Sequence, residues 1–305
     1  MESVYENGQE TWPRNSTHYK NWLIDSPNTL QRIRLDTYNN ALQKIKYKLV
    51  DLDVPTFEEE QWLVKYYSYQ LSKFLATNHL KTTVKETALT FFNRFFLRKS
   101  LLEYDPRLIM FTCTTLAIKL EDMWRTVYVD KLLGHINNLD IAKVFEMEPI
   151  VCEVLDFNLL VLHTGEPLYT IQESCLQYLK DSLEINDELV GEHLNVIISI
   201  SKQVEGTSMQ MHENPELLFM HTPTQLALAN FLYHCKTNLQ SVISVETFIL
   251  KKFLGGNDTK LVPLLSALNN INVKYDEFMA FRDKFSQEVE KAGSILDKYL
   301  KIYGI

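Results

Sequence analysis

Apolar residues recur along this chain at steps of three and four, and strict alternation is almost absent, so the pattern predicts helices throughout. Ser26-Pro27 reads as an N-cap followed by proline at the first helical position. After it, Leu30, Ile33, Tyr38, Leu42 and Ile45 mark one helical face. Thr56-Phe57-Glu58-Glu59 has capping-box spacing and opens a helix carrying Leu63, Tyr67, Leu71 and Phe74. Thr83-Val84-Lys85-Glu86 shows the same spacing ahead of Phe91. Asp105-Pro106 starts the next helix. A short helix is expected around Val129 to Leu133, and a longer one from about Asp140 to Phe157.

The most informative stretch is Phe91-Phe92-Asn93-Arg94-Phe95-Phe96-Leu97 together with the helix begun at Asp105-Pro106. That second helix is almost wholly apolar until it ends on Lys119-Leu120-Glu121-Asp122. A buried helix that ends in a charged cluster presents the cluster at a surface. Such an arrangement suits gripping another protein better than doing chemistry.

The pattern then begins again. Glu166 to Leu183 and Asp187 to Val204 read as helices, and Gly206 to His221 reads as the longest internal loop. Thr222-Pro223 repeats the logic of Asp105-Pro106: a capping side chain, a proline, then a nearly all-apolar helix. A helix apolar on all sides marks the centre of a small bundle. Two such centres predict an all-α chain of two five-helix bundles in tandem, flanked by N- and C-terminal helices. The expected limits are an N-terminal extension and helix over 1–55, a first repeat over 56–160, a second over 161–270 and a terminal helix over 271–305. Gly255-Gly256-Asn257-Asp258 reads as a turn. Phe278, Phe281, Phe285, Val289, Ala292, Leu296 and Tyr299 read as one amphipathic helix that docks on the bundle or on a partner.

Composition narrows the function. The 305 residues are 46% hydrophobic and 23% charged, the profile of a folded globular chain. A net charge of -8 argues against nucleic-acid binding, which needs a basic face. The densest basic pairs, Arg98-Lys99 and Lys251-Lys252, read as solvated helix positions. The four cysteines, Cys113, Cys152, Cys175 and Cys235, stand far apart in apolar patterns, so they read as small buried hydrophobes in a reducing compartment. No apolar run approaches the length of a membrane span. No glycine-rich phosphate loop, nucleophile elbow or cofactor motif is present in the sequence, so no enzyme activity and no cofactor are expected. His212, Glu213 and His221 fall in the expected loop without helical metal spacing, and they read as solvated. Trp62, Tyr66, Tyr67 and Tyr69 read as helix-face packing rather than a base-stacking platform.

Three separated motifs carry a resemblance. Phe91 to Glu121 is similar to the core of the cyclin box. More narrowly, Phe92-Asn93-Arg94-Phe95, Glu103-Tyr104-Asp105-Pro106-Arg107-Leu108-Ile109-Met110 and Thr112-Cys113 resemble the cyclin H group. Leu218-Phe219-Met220-His221-Thr222-Pro223-Thr224-Gln225-Leu226 resembles the motif of the second repeat. Lys20-Asn21-Trp22 with Leu30-Gln31-Arg32-Ile33-Arg34 resembles the N-terminal helix peculiar to that group.

The resemblance implies a non-catalytic subunit that binds and activates a cyclin-dependent kinase by holding the kinase's C helix in its active position. It implies a nuclear location, with cytoplasmic presence left open. Whether a third assembly subunit and transcription factor IIH join is also left open. It places the kinase-contacting pair at Lys119 and Glu148. Leu116 and Glu121 lie beside the lysine; Cys152, Phe157 and Leu159 follow the glutamate. Trp22, Arg32 and Arg34 complete the expected contact set. Pro149 departs from the pattern: a proline directly after Glu148 removes a helical hydrogen bond, so the helix is expected to kink or start anew there. The helix from Glu58 to Ala76 lacks the Met-Arg-Ala-Ile-Leu motif, which puts docking of Arg-x-Leu substrates in doubt. Two rival readings remain. One is a cyclin-fold general transcription factor of the TFIIB type, which predicts a basic second repeat and a zinc ribbon. The other is a scaffold cyclin without kinase activation.

Overall fold

The computed structural model describes residues 5–6, 9–10, 15–48, 52–183, 187–238 and 244–304. The regular secondary structure of the described residues is helical apart from a two-residue antiparallel ladder that pairs Tyr5–Glu6 (β1) with Gln9–Glu10 (β2). Of the expected extension and helix over 1–55, residues 1–4, 7–8, 11–14 and 49–51 lie outside the described residues.

Two compact units form. One comprises Trp22–Val161, His212–Met220 and Met279–Ile305. Its helices are α2 (Pro27–Ile45), α3 (Phe57–Thr77), α4 (Thr82–Arg98), α5 (Pro106–Leu120), α6 (Val129–Leu133), α7 (Ile141–Val154), α10 (Pro215–Met220) and α14 (Val289–Tyr303). Short polar signals set the helix starts. Ser26 accepts the amide of Thr29, and Pro27 follows it. Thr56 and Glu59 form a reciprocal capping box. Asp105 accepts the Arg107 amide at 2.8 Å, and Asp140 caps α7.

The expected capping box at Thr83 does not form. The cap of α4 is Lys81, with no side-chain bond, and Glu86 is fully buried inside the helix. The fully buried Val84 explains the earlier start: the helix must already be under way to seat it.

Helices α4 and α5 are the centre of this unit, as their largely apolar runs predict. Phe91, Phe92 and Phe95 are 0% exposed, and Phe95 meets Phe96 and Tyr104 edge-on at 5.2 and 5.1 Å. Each such ring contributes roughly 3–5 kcal/mol against truncation to alanine.

The C-terminal segment is not one helix. Helix α13 (Leu261–Arg282) ends, a 3-10 turn covers Asp283–Ser286, and α14 restarts at Val289. The reason is Phe285, fully buried among Trp62, Tyr66, Tyr69 and Phe281 at centroid distances of 5.0 to 5.8 Å. Seating that ring tightens the backbone and shifts the following stripe to Ala292, Ile295, Tyr299 and Ile302. Val289, expected on the buried stripe, is exposed. Helix α14 then docks on α3 through Lys298 to Glu59 at 2.9 Å and through the Tyr299 hydroxyl to Glu60.

The second unit comprises Met1–Asn21, Leu162–Met211 and His221–Phe278. It contains most of α1 (Thr17–Trp22), α8 (Gly165–Leu183), most of α9 (Asp187–Glu213), α11 (Pro223–Asn238), α12 (Val245–Lys252) and most of α13. The nearly all-apolar start of α11 is its centre, opened by reciprocal bonds between Thr222 and Gln225. The loop expected over Gly206 to His221 is absent: α9 runs on to Glu213, and α10 follows it. Gly206-Thr207-Ser208 looks like a breaker, yet Val204, Ser208, Met211 and His212 fall on one buried face. The Ser208 and Thr164 hydroxyls also bond at 2.6 Å. His212 and Glu213 are therefore buried helix residues, not loop ligands. Gly255 and Gly256 make the expected turn, both at positive φ.

Candidate functional site

Lys119 stands in the last turn of α5, where a cation is favoured by the helix dipole. The helix stops one residue later: the Glu121 amide returns to the Ala117 carbonyl at 2.9 Å, and Asp122 adopts φ 53°. The Glu121 carboxylate accepts the Thr87 hydroxyl at 2.6 Å, which ties this end to α4. Glu148 comes from the middle of α7. The Lys119 ammonium donates to both of its oxygens, at 2.7 and 2.6 Å. The lysine side chain is 45% exposed and the glutamate 16%.

Apolar groups border this pair. The ammonium lies 5.2 Å from the Phe145 ring centre, on the next turn of α7. Cys152, one turn beyond Glu148, is half-buried; burial raises its thiol pKa, and the Glu148 carboxylate adds to the shift. Leu116 is 7% exposed and packs inward. The inner stripe of α7 is Val144, Val151 and Leu155, whereas Phe145 and Cys152 share the outer face with Glu148. Pro149 does not restart the helix: α7 continues through it, and only the Phe145 carbonyl loses its amide donor.

Beyond α7 the chain turns sharply. Asp156 and Phe157 take φ 51° and 54°, left-handed values that cost about 1–3 kcal/mol per non-glycine residue. This ends the helix short of the expected Phe157. Phe157 projects outward, 69% exposed; Leu159 is half-buried and Leu160 is exposed.

The N-terminal residues are placed differently. Arg32 is exposed. Arg34 is 8% exposed and lines a small cleft with Lys65, Trp62 and Glu216. Burial lowers its pKa to about 10, against the attraction of Glu216. Trp22 is 2% exposed, and the Arg94 and Arg98 guanidiniums lie 4.8 and 4.3 Å from its ring centre. Arg98, expected to be a solvated helix position, instead stacks on Trp22 and donates to the Val154 carbonyl, and Arg94 was given no role by the sequence. An arginine between phenylalanines on an otherwise apolar helix is the available signal, because such a charge stays buried only when its hydrogen bonds are met.

Among the described residues, no group of three His, Cys, Asp or Glu side chains could hold a metal ion, and no helix is long and apolar enough to cross a membrane. The half-open Lys119–Glu148 pair with its apolar neighbours, held on the ends and faces of packed helices, is the candidate docking site.

Residues 59–160 match the family described as "Cyclin, N-terminal domain". Over that domain the chain is similar to cyclins. It is 28% identical to cyclin mcs2 of Schizosaccharomyces pombe over 235 residues, 72% of this chain and 68% of that one. Other curated relatives are matched over 49–62% of their length. Two solved structures share the fold. A chain of the CAK complex of Chaetomium thermophilum has a TM-score of 0.73 at 18% identity, covering 94% of this chain and 88% of that one. A chain of the yeast TFIIK (Kin28/Ccl1/Tfb3) complex has a TM-score of 0.64 at 24% identity, covering 85% and 99%.

Proposed function

We propose that this chain is a cyclin H-type regulatory subunit that binds and activates a cyclin-dependent kinase and does no chemistry itself. The observation that carries the proposal is the Lys119–Glu148 pair, half open to solvent beside Phe145 and Cys152 on a cyclin N-terminal domain. Backbone groups of a docked kinase would replace the water on that pair, while Phe157 and Leu159 supply apolar contact. Charged groups fully desolvated at the centre of an interface, with aromatic anchors nearby, have the anatomy of a binding hot spot.

The mechanism is a shift of population. An active kinase needs the glutamate of its C helix paired with the lysine that holds ATP. A rigid surface that binds only the inward helix moves that equilibrium, and a shift from 1:99 to 99:1 needs about 5.5 kcal/mol of differential affinity. An interface of standard size or larger supplies it. A third assembly subunit, transcription factor IIH and a nuclear location belong to the same proposal, supported by the chain's likeness to cyclins of such assemblies.

The test is affinity purification of the chain from its source cell, then addition of the purified chain to the co-purifying kinase. The kinase alone should be nearly inactive and should gain phosphoryl-transfer activity up to one equivalent of the chain. A chain that recovers no kinase and activates none would end the proposal.

A further inference from the structure

We infer that Arg98, Arg94 and Trp22 form a clamp that positions Phe157, so that these three residues shape the docking surface without touching the partner. The inference rests on the proposed kinase-binding role and goes beyond it by assigning positioning residues.

The turn after α7 has few means of holding itself in shape. Its two consecutive left-handed residues, Asp156 and Phe157, are both exposed and non-glycine. Inside the turn, backbone bonds run from Asp156 to the Glu153 carbonyl at 2.9 Å, from Phe157 to the Cys152 carbonyl at 2.8 Å and from Asn158 to the Leu155 carbonyl at 2.9 Å. Side chains of α4 add a second set of constraints. Arg98 donates to the Val154 carbonyl at 2.8 Å and pairs with the Asp156 carboxylate. Arg94, one helical turn earlier and 1% exposed, donates to the carbonyls of Asn158 and Leu160 at 3.3 Å each. Thus the two arginines hold the backbone on both sides of Phe157.

Two like charges one turn apart in a buried setting repel. Burial and the charge of Arg98 lower the Arg94 pKa to about 9. The Trp22 ring answers this: both guanidiniums lie over it within cation–π range. Trp22 is held at its post by its own burial and by the bond from Ile24 to the Phe219 carbonyl at 2.7 Å. A contact assigned by resemblance to the kinase is therefore made inside the cyclin's own unit. Its influence on docking runs through α4 and the 154–160 turn.

The test uses Arg98→Met, because Arg98 is partly exposed and its loss spares the core, with Trp22→Leu as the second variant. The first readout needs no kinase. Hydrogen exchange at the amides of residues 156–158 should speed up at least tenfold in both variants, with α3 amides unchanged. The second readout is a double-mutant cycle on kinase affinity. Arg98→Met should weaken binding by about tenfold, equivalent to 1.4 kcal/mol. In a Phe157→Ala background it should cost nothing further, whereas Lys119→Ala should still add its full loss. Unchanged exchange in the turn overturns the clamp whatever the kinase does. So does an additive cycle between Arg98→Met and Phe157→Ala. A wild-type chain that binds no kinase, with accelerated exchange in the variants, overturns the docking role and leaves the clamp's geometry established.

Discussion

Lys119→Ala and Glu148→Ala should separate docking from folding. In the free chain the two oxygens of Glu148 hold the ammonium at 2.6 and 2.7 Å, but the lysine side chain is 45% exposed. Water takes its place when it is removed, so the pair contributes about 0–1 kcal/mol to the isolated fold. That is a shift of roughly 2–4 °C or less in the melting temperature of a chain of this size. Docking changes the balance, because both charges lose their water together. Truncating one partner then leaves the other buried and unpaired, which costs about 2–5 kcal/mol. At 1.4 kcal/mol per decade this is a loss of about 30-fold to several-thousand-fold in affinity. The assay is calorimetric titration of each variant with the kinase, paired with a thermal melt of each variant alone. In the double variant the losses should fall well short of additive. Wild-type affinity in both single variants would refute the reasoning. So would melting temperatures that drop in step with affinity, since the pair would then be a folding element.

Three further outcomes follow from the buried charges and the N-terminal helix. Glu60 is 3% exposed, and burial raises its pKa to about 7 despite hydrogen bonds from Ser100 and Tyr299. Its folded pKa exceeds its unfolded one, so the cost of ionising it is absent below about pH 4.5 and complete above about pH 7, at most about 3 kcal/mol. Glu60→Gln should therefore melt like the wild type near pH 5 and higher than it at pH 8; a difference that does not depend on pH would contradict this. Arg282→Met strands the fully buried Glu213, which Arg282 holds at 2.6 and 3.0 Å, and should lower stability in urea by about 3–5 kcal/mol, largely recovered by adding Glu213→Leu. Deleting residues 1–47 removes Leu30, Tyr38 and Ala41 from the core of their unit, together with the Tyr38 bond to the Pro55 carbonyl at 2.7 Å; it should lower the melting temperature by more than 10 °C, and an unchanged melt would show that the helix is not part of that core.

How much was legible in the sequence depended on how local the determinants were. Helix starts at Ser26, Thr56, Asp105 and Asp140 are written in two to four residues, and they were readable. The apolar centres at Phe91 to Leu97 and Leu226 to Leu232 were readable because total burial needs no periodicity. The continuation of α9 through Gly206 was not, since distant packing against Thr164 outweighs a weak local preference. The break at Asp283–Ser286 was hidden for the same reason: Phe285 keeps the spacing of a helix while its ring is captured by α3. Among the site residues, Lys119 and Glu148 meet, yet their 29-residue separation carries no spacing rule, and only the resemblance proposed the pairing. Trp22, Arg94 and Arg98 show the reverse limit. An aromatic residue near one end and two arginines on a central helix have no sequence relation until the fold stacks them.

That the ion pair already exists in the isolated chain has a consequence for how docking works. A lysine free in water would lose about 2 kcal/mol of rotamer freedom when fixed at an interface. Here Glu148 has removed part of that freedom beforehand, and Phe145 under the ammonium restricts it further. The same holds for Phe157, whose strained turn is fixed by side chains of α4 rather than by a partner. A surface ordered before binding keeps more of its contact energy as affinity, because less is spent on ordering. It also binds one partner conformation in preference to another, since it cannot adapt to both. Selection of an inward kinase helix requires that stiffness: a surface that remodelled to fit either position would bind both equally and shift nothing. Under the proposed docking role, the strain at Asp156 and Phe157, and the burial of Arg94 that holds it, are the energetic cost of discriminating between two states of a partner.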